Sequence, residues 1–329
     1  MKNKHTPLPD WHHHPKLPIT VSPLFTLPFD IKAVLLWFIK SWFPLSERLI
    51  IVGLAFISWF YFHPTLAQTK TLHLSWISEL FIRNLVLMII VAGGLHLYFY
   101  TFKKQADNQQ FDTKPFNKTH KKFTFKNQTY DNIFWTIASG VTLWTSYEVL
   151  MLWAMANGYA PILTFAQHPI WFIALFFIIP IWESFYFYWI HRFLHMPAMY
   201  KDIHSLHHRN TNVGPWSGLS MHPVEHVLFL GSVLIHFIVA ASPVHIIYHL
   251  QYYALSSATT HSGFSGLFIK DKKLLDLGTY HHQLHHRYFE CNYGSLEIPL
   301  DKWFGTFHEG TAQSHELFKQ RRKEYLMNK

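Results

Sequence analysis

Three stretches decide the reading of this chain: His191-Arg192-Phe193-Leu194-His195, His204-Ser205-Leu206-His207-His208 and His281-His282-Gln283-Leu284-His285-His286. As patterns they are H-x3-H, H-x2-H-H and a second H-x2-H-H that begins at His282. On an α-helix, residues three and four apart share a face, so each box aims two or three imidazoles at one place. Imidazole suits iron, zinc, copper and nickel alike, and ligand type alone does not select the metal. Ligand number says more. The boxes supply eight histidines, whereas a zinc site takes three or four protein ligands, so eight point to two metals. Chance spacing in a histidine-rich chain is the competing reading, but 15 of the 26 histidines fall within residues 191–286.

The surroundings are those of a membrane protein. Hydrophobic residues make up 50% of the 329 and charged residues only 14%, against about 25% charged in ordinary soluble domains. The 30 Phe, 16 Tyr and 13 Trp suit a chain bordering lipid interfaces. A formal charge of +9 is better explained by basic loops at an anionic membrane surface than by nucleic acid, since no basic recognition motif stands out. The single cysteine, Cys291, excludes an intrachain disulfide and a cysteine-based zinc site.

Residues 1–48, with Trp11-His12-His13-His14-Pro15 and further prolines, read as an extended, solvated segment without a secretory signal, ending in an interfacial helix over 31–43. Uncharged runs then predict spans at 49–69, 84–102, 133–155 and 169–190. The apolar run 227–260, divided by Pro243, is short for two full spans and reads as a re-entrant or tilted hairpin. Seven lysines against two aspartates in 103–130 place that loop in the cytoplasm by the positive-inside rule, and His191 returns to the same face. The expected fold is an all-α integral membrane protein: about four transmembrane helices, the hairpin, and a cytoplasmic helical cap carrying the histidine boxes. Its divisions are 1–48, a helical pair with a basic loop over 49–130, a catalytic domain over 131–310 and a polar tail over 311–329.

Region 182–308 resembles the fatty acid hydroxylase/sterol desaturase superfamily of membrane di-iron oxygenases. The resemblance rests on Tyr188-Trp189-Ile190 before the first box, on the boxes themselves, and on Met221-His222-Pro223-Val224-Glu225, Thr260-His261-Ser262-Gly263, Asn292-Tyr293-Gly294 and Asp301-Lys302-Trp303-Phe304-Gly305-Thr306. Within the superfamily it is most similar to sterol C4-methyl and C5 oxidase types and their bacterial relatives. It implies two iron ions at the cytoplasmic membrane face, in the bacterial inner membrane or the endoplasmic reticulum. Their ligands would be His191, His195, His204, His207, His208, His282, His285 and His286, with His222 and His261 as additional metal histidines.

It further implies an O2-dependent hydroxylase or desaturase acting on a lipid that enters from the bilayer. The substrate would be sterol-like, fatty acyl or another isoprenoid or alkyl chain. No dinucleotide fingerprint or paired cysteines are present, so electrons would come from NAD(P)H through a separate reductase and a cytochrome b5- or ferredoxin-type carrier. The basic loop 103–130 offers a docking surface for it.

Among other residues, Glu183 and Glu225 read as carboxylates orienting ligand imidazoles from behind. His281 and His226 read as packing or outer groups, and His236, His245 and His249 as packing or substrate-channel groups. Asn292 suits a turn, and Glu148 reads as a buried partner or a topology marker. Two alternatives stay open. A membrane zinc hydrolase would use a subset of the histidines to activate water. A metal-binding or transport protein would spread its ligands along a transmembrane path.

Overall fold

The computed structural model describes residues 6–8, 10–43 and 45–327. Helix α1, Ile31–Trp42, starts where the Asp30 carboxylate accepts from the Lys32 and Ala33 N–H groups at 2.9 and 3.1 Å. Helix α2, Glu47–Tyr61, is capped in the same way by Ser46 and meets α1 at a bend of 54°. Helices α3, Leu74–Thr101, and α5, Pro169–Leu194, are the two among the described residues that are long and apolar enough to cross a bilayer. The bent pair α1–α2 would make a third. Their outward side chains, among them Ile82, Ile90, Ile170 and Ile173, are exposed, an apolar surface of the kind that marks a membrane or protein contact.

The expected span over 133–155 is helical, as part of helix α4 (128–156), but is not among those apolar helices. It carries Thr136, Ser139, Thr145 and Glu148 inward, and these polar groups are buried in protein. The Thr136 hydroxyl donates to Trp216 O (2.9 Å), and Glu148 pairs with Arg83 of α3. Among the described residues, two helices are thus long and apolar enough to be spans by length and composition, or three with the bent pair.

After a helical stretch, α6 (197–208), come helices α7, Pro223–Phe237, and α8, Pro243–Thr260. Each opens with proline at its first position, where no backbone donor is needed. They are the two halves expected of a hairpin. Most of α8, however, is buried by α2, α4, α5 and α7, so its uninterrupted apolar run reflects enclosure by protein rather than lipid. Gly218 lets the chain before α7 lie on α8: a β-carbon there would come within 1.9 Å of Ser257 O.

The chain is mostly helical but not entirely so. Strands β1, Gly266–Ile269, and β2, Lys272–Asp276, form an antiparallel hairpin, turned by Lys270 and Asp271 at φ 49° and 62°. Helix α9, Tyr280–Tyr288, follows, capped by the Thr279 side chain, and α10 is Ala312–Met327. The N-terminal segment, expected to be solvated, docks on α9. Trp11 is buried edge-on to Tyr280 (5.1 Å), with the Arg287 guanidinium 3.6 Å over its ring. Of its neighbours, His12 is exposed, and His13 and His14 are half-buried.

Candidate metal centre

The C-terminal ends of α5 and α8, together with α6 and α9, gather nine histidines into two groups. His191, His195, His204, His208 and His285 form one; His207, His261, His282 and His286 form the other. Within each group the ligand nitrogens lie within 4.8 Å of one another. The two H-x2-H-H boxes are divided between the groups in reciprocal fashion. His204 and His208 go to the group of five and His207 to the group of four, whereas His282 and His286 go to the group of four and His285 to the group of five. Helix geometry explains the division. At 3.6 residues per turn, positions i and i+4 are about 40° apart, and i+3 lies about 100° from i+4. Two boxes facing each other thus each contribute a pair to one group and a single ring to the other. In α6 the turn Tyr200–His204 is π-helical, a local widening that recurs at functional sites.

The outer nitrogens show what the inner ones are for. Nδ1 of His191, His285, His261, His286 and His207 lies against the backbone oxygens of Tyr293 (2.6 Å), Cys291 (2.6 Å), Ser257 (2.8 Å), Asn210 (3.1 Å) and Ser220 (3.4 Å). A carbonyl only accepts, so each Nδ1 carries the proton and each Nε2 is left with a lone pair. Two of those Nε2 atoms, of His261 and His286, stand 3.0 Å apart; His282 Nε2 lies 3.1 Å from that of His286, and His208 Nε2 3.0 Å from that of His285. Lone pairs facing at that distance repel unless a cation lies between them. Two nitrogens about 2.0–2.1 Å from a shared ion are separated by roughly 3.0–3.4 Å at ordinary coordination angles. The residues fit two metal ions, and among the described residues neither group contains a carboxylate or thiolate.

Burial keeps the rings in the ligand form. It lowers His207 to about 4 and depresses His204, His208, His261, His282, His285 and His286 well below the usual imidazole value. Neutral imidazole is the species that binds metal.

Of the expected site residues, nine of the ten histidines come together. His222 does not: it precedes Pro223 at the start of α7, and its Nδ1 accepts the Val224 N–H at 3.2 Å. Glu225 stands with its Oε1 2.7 Å from His204 Nδ1. Glu183 touches none of the nine; its imidazole neighbour is His249, at 3.5 Å. His281 faces Asp301 (3.9 Å), His226 bonds with Ser139 and Leu219 O, and His245 lies against Phe172 O. Asn292, at φ 57°, donates to the carbonyls of His281 and His308.

Asp301, within one of the stretches that carry the resemblance, has a definite task. It accepts from the N–H groups of Tyr293 and Gly294 (2.9 and 2.8 Å) and from the Thr306 hydroxyl (2.6 Å). That holds the loop whose Tyr293 carbonyl orients His191. The backbone acceptors have no sequence signal at all.

A cavity of about 550 Å³ reaches the histidines. It is lined by His191, His204, His207, His261 and His282 at one end, by Phe187, Leu194, Met221 and Phe229 along its walls, and by Trp37, Leu45 and Arg48 beside the α1–α2 bend.

The molecule so defined is a helical membrane protein with two all-histidine clusters, each compatible with metal binding, beside an apolar cavity. The fatty acid hydroxylase family model matches residues 173–306, and this stretch belongs to the fatty acid hydroxylase/sterol desaturase superfamily. The chain is 31% identical over 145 residues to a Delta(7)-sterol 5(6)-desaturase of Eremothecium gossypii, covering 44% of this chain and 39% of that protein. It is 29% identical over 163 residues to a Delta(7)-sterol 5(6)-desaturase of Aspergillus fumigatus (50% and 44%). It is 35% identical over 122 residues to the lathosterol oxidase of Mus musculus (36% and 40%). In each case the chain spans less than half of the relative's length. No solved structure matches.

Proposed function

We propose that this chain is a membrane-bound, O2-dependent, non-haem di-iron oxidoreductase that hydroxylates or desaturates a C–H bond of a lipid. The observation carrying this reading is the convergence of nine histidines in two groups, six of them with Nδ1 tethered outward to a carbonyl or to Glu225, at the end of an apolar cavity. The relatives named as sterol desaturases and lathosterol oxidase favour redox chemistry on a lipid over hydrolysis. Ligands gathered in two groups at one end of the molecule speak against a transmembrane metal path.

Bound iron would supply the reduction of O2, with two electrons delivered from outside, and the oxidising equivalent for the C–H bond. The chain's own residues do the rest. Backbone carbonyls hold five of the nine rings and Glu225 a sixth, so much of the site is preorganised. Phe187, Leu194, Met221 and Phe229 hold an apolar substrate beside the histidines and exclude water. Trp37, Leu45 and Arg48, on either side of the α1–α2 bend, line the far end of the cavity, where a lipid would enter sideways from the bilayer.

The electrons would pass from NAD(P)H through a separate reductase and a cytochrome b5- or ferredoxin-type carrier. The exposed lysines of 103–130, Lys114, Lys118 and Lys121 among them, suit an acidic carrier on the cytoplasmic face. The test is metal content together with O2-dependent lipid turnover in purified protein from iron-supplemented cells, beside the double variant His207→Ala/His285→Ala. Near two irons per chain and turnover in the parent, both lost in the variant, are expected. Zinc in the sites, or iron without O2-dependent turnover, would sink the proposal.

A further inference from the structure

Glu183 and Tyr253 stand at one level on two helices that both run toward the metal centre. Glu183 lies eight residues before His191 on α5, and Tyr253 eight residues before His261 at the end of α8. Eight residues of helix rise about 12 Å. Both side chains line the cavity, and they are only 2% and 7% exposed. Neither Glu183 Oε1 nor the Tyr253 hydroxyl has a hydrogen-bond partner.

The surroundings do not supply one. His249 Nε2, 3.5 Å from Glu183, is 2.9 Å from Ser232 Oγ, and its other ring nitrogen faces His236. Tyr253 is held in place by stacking on Phe229 (3.9 Å, 12°) and by the edge of Phe187, one turn beyond Glu183 (6.5 Å). A buried carboxyl and a buried hydroxyl left without partners are costly. Here they face a space large enough for a ligand that can pair with both.

We propose that Glu183 and Tyr253 bind a hydroxyl group of the substrate, which makes the substrate an alcohol-bearing lipid whose oxidised C–H bond lies about 12 Å from that hydroxyl. The inference rests on the oxygenase reading above and narrows it. A carbon adjacent to the hydroxyl would sit beside Glu183, remote from the histidines, so oxidation falls far along the molecule from the alcohol. The apolar walls between the two ends accept hydrocarbon.

The experiment is equilibrium binding of dodecanol and of dodecyl methyl ether to the metal-loaded full chain in lipid nanodiscs, without reductant. The two probes share an apolar chain, but only the alcohol donates a hydrogen bond. The parent protein is expected to bind the alcohol about ten-fold more tightly. Glu183→Leu abolishes that preference while leaving ether binding within about two-fold.

Tyr253→Phe removes a hydroxyl with no protein partner, so it folds whether or not the Glu183 variant does, and it reduces the preference about three-fold. Equal affinity for the two probes in the parent, or an unchanged preference in Tyr253→Phe, overturns the proposal. So does an equal loss of both probes in a folded Glu183→Leu, which marks a purely structural carboxyl. Binding is read without turnover. A chain that oxidises lipid but ignores the hydroxyl therefore loses this inference alone, and one that selects the alcohol but never turns over loses the oxygenase reading.

Discussion

Glu225 Oε1 lies 2.7 Å from Nδ1 of His204, and both side chains are almost wholly buried. The other oxygen of the carboxyl, Oε2, has no partner, so His204 is its principal engagement. The contact ties the start of α7 to α6 and sets the ring that projects its Nε2 into the group of five.

Outer partners of this kind typically change metal affinity by 10–100-fold when removed. Glu225→Ala is expected to lower affinity for one metal equivalent by about that factor, with a smaller loss in Glu225→Gln, which still accepts a hydrogen bond from the ring. Metal retained against a graded series of chelator concentrations measures it. Retention equal to the parent in both variants would show that His204 is oriented without the carboxyl.

His207 and His285 occupy equivalent places in their boxes but serve opposite groups. His285→Ala therefore leaves the group of four with all its rings, and His207→Ala leaves the group of five intact. Each single variant is expected to keep about one metal per chain under mild chelation, and the double variant close to none. Elemental analysis per chain decides. Loss of both metals in either single variant would mean that the two groups load as one unit.

Much of this centre was legible because helical spacing is local information. The boxes declare which residues share a face, and α5, α6 and α9 deliver them. Resemblance and spacing each mislead in one instructive case. The resemblance implied His222 as an additional metal histidine, but Pro223 starts a helix directly after it, and His222 turns to cap that helix. Glu183 shares a face with His191, yet two turns of rise, about 12 Å, separate them. A common face did not mean contact. Backbone acceptors such as Tyr293 O and Cys291 O leave no trace in composition. The burial of Trp11 depends on α9 and Arg287, more than 250 positions away in the chain.

Acidification should weaken the fold through histidines that are not ligands. Burial lowers His308 to about 4 and His281 to about 3; neither Nε2 has a hydrogen-bond partner, that of His281 facing Asp301 at 3.9 Å. His308 Nδ1 also accepts the Gly310 N–H at 3.0 Å, a role that protonation would end. In the unfolded chain both titrate near 6.5. Between about pH 6.5 and 4 the unfolded state therefore binds more protons, and stability falls as pH falls through that window; above pH 7 these groups add no pH dependence. The thermal midpoint in detergent is expected to drop from pH 7.5 to pH 5, less steeply in His308→Asn, which keeps an acceptor. Parallel profiles for the two proteins would clear His308 of the effect.

Arg83 of α3 and Glu148 of α4 form an ion pair inside the helical bundle, with Asn84 Nδ2 donating to the same carboxylate oxygen at 3.2 Å. Glu148 is fully buried and Arg83 is 7% exposed. Removing one partner strands the other's charge in a poorly solvated place, which costs about 3–5 kcal/mol, whereas replacing both with apolar groups is often close to neutral. Glu148→Ala is therefore expected to destabilise the protein by that amount, and Arg83→Met/Glu148→Leu by clearly less than the single change. Unfolding followed in mixed micelles gives both values. If the double variant proves as unstable as Glu148→Ala, the hydrogen bonds to Asn84 and to the Phe62 carbonyl, rather than the stranded charge, carry the cost.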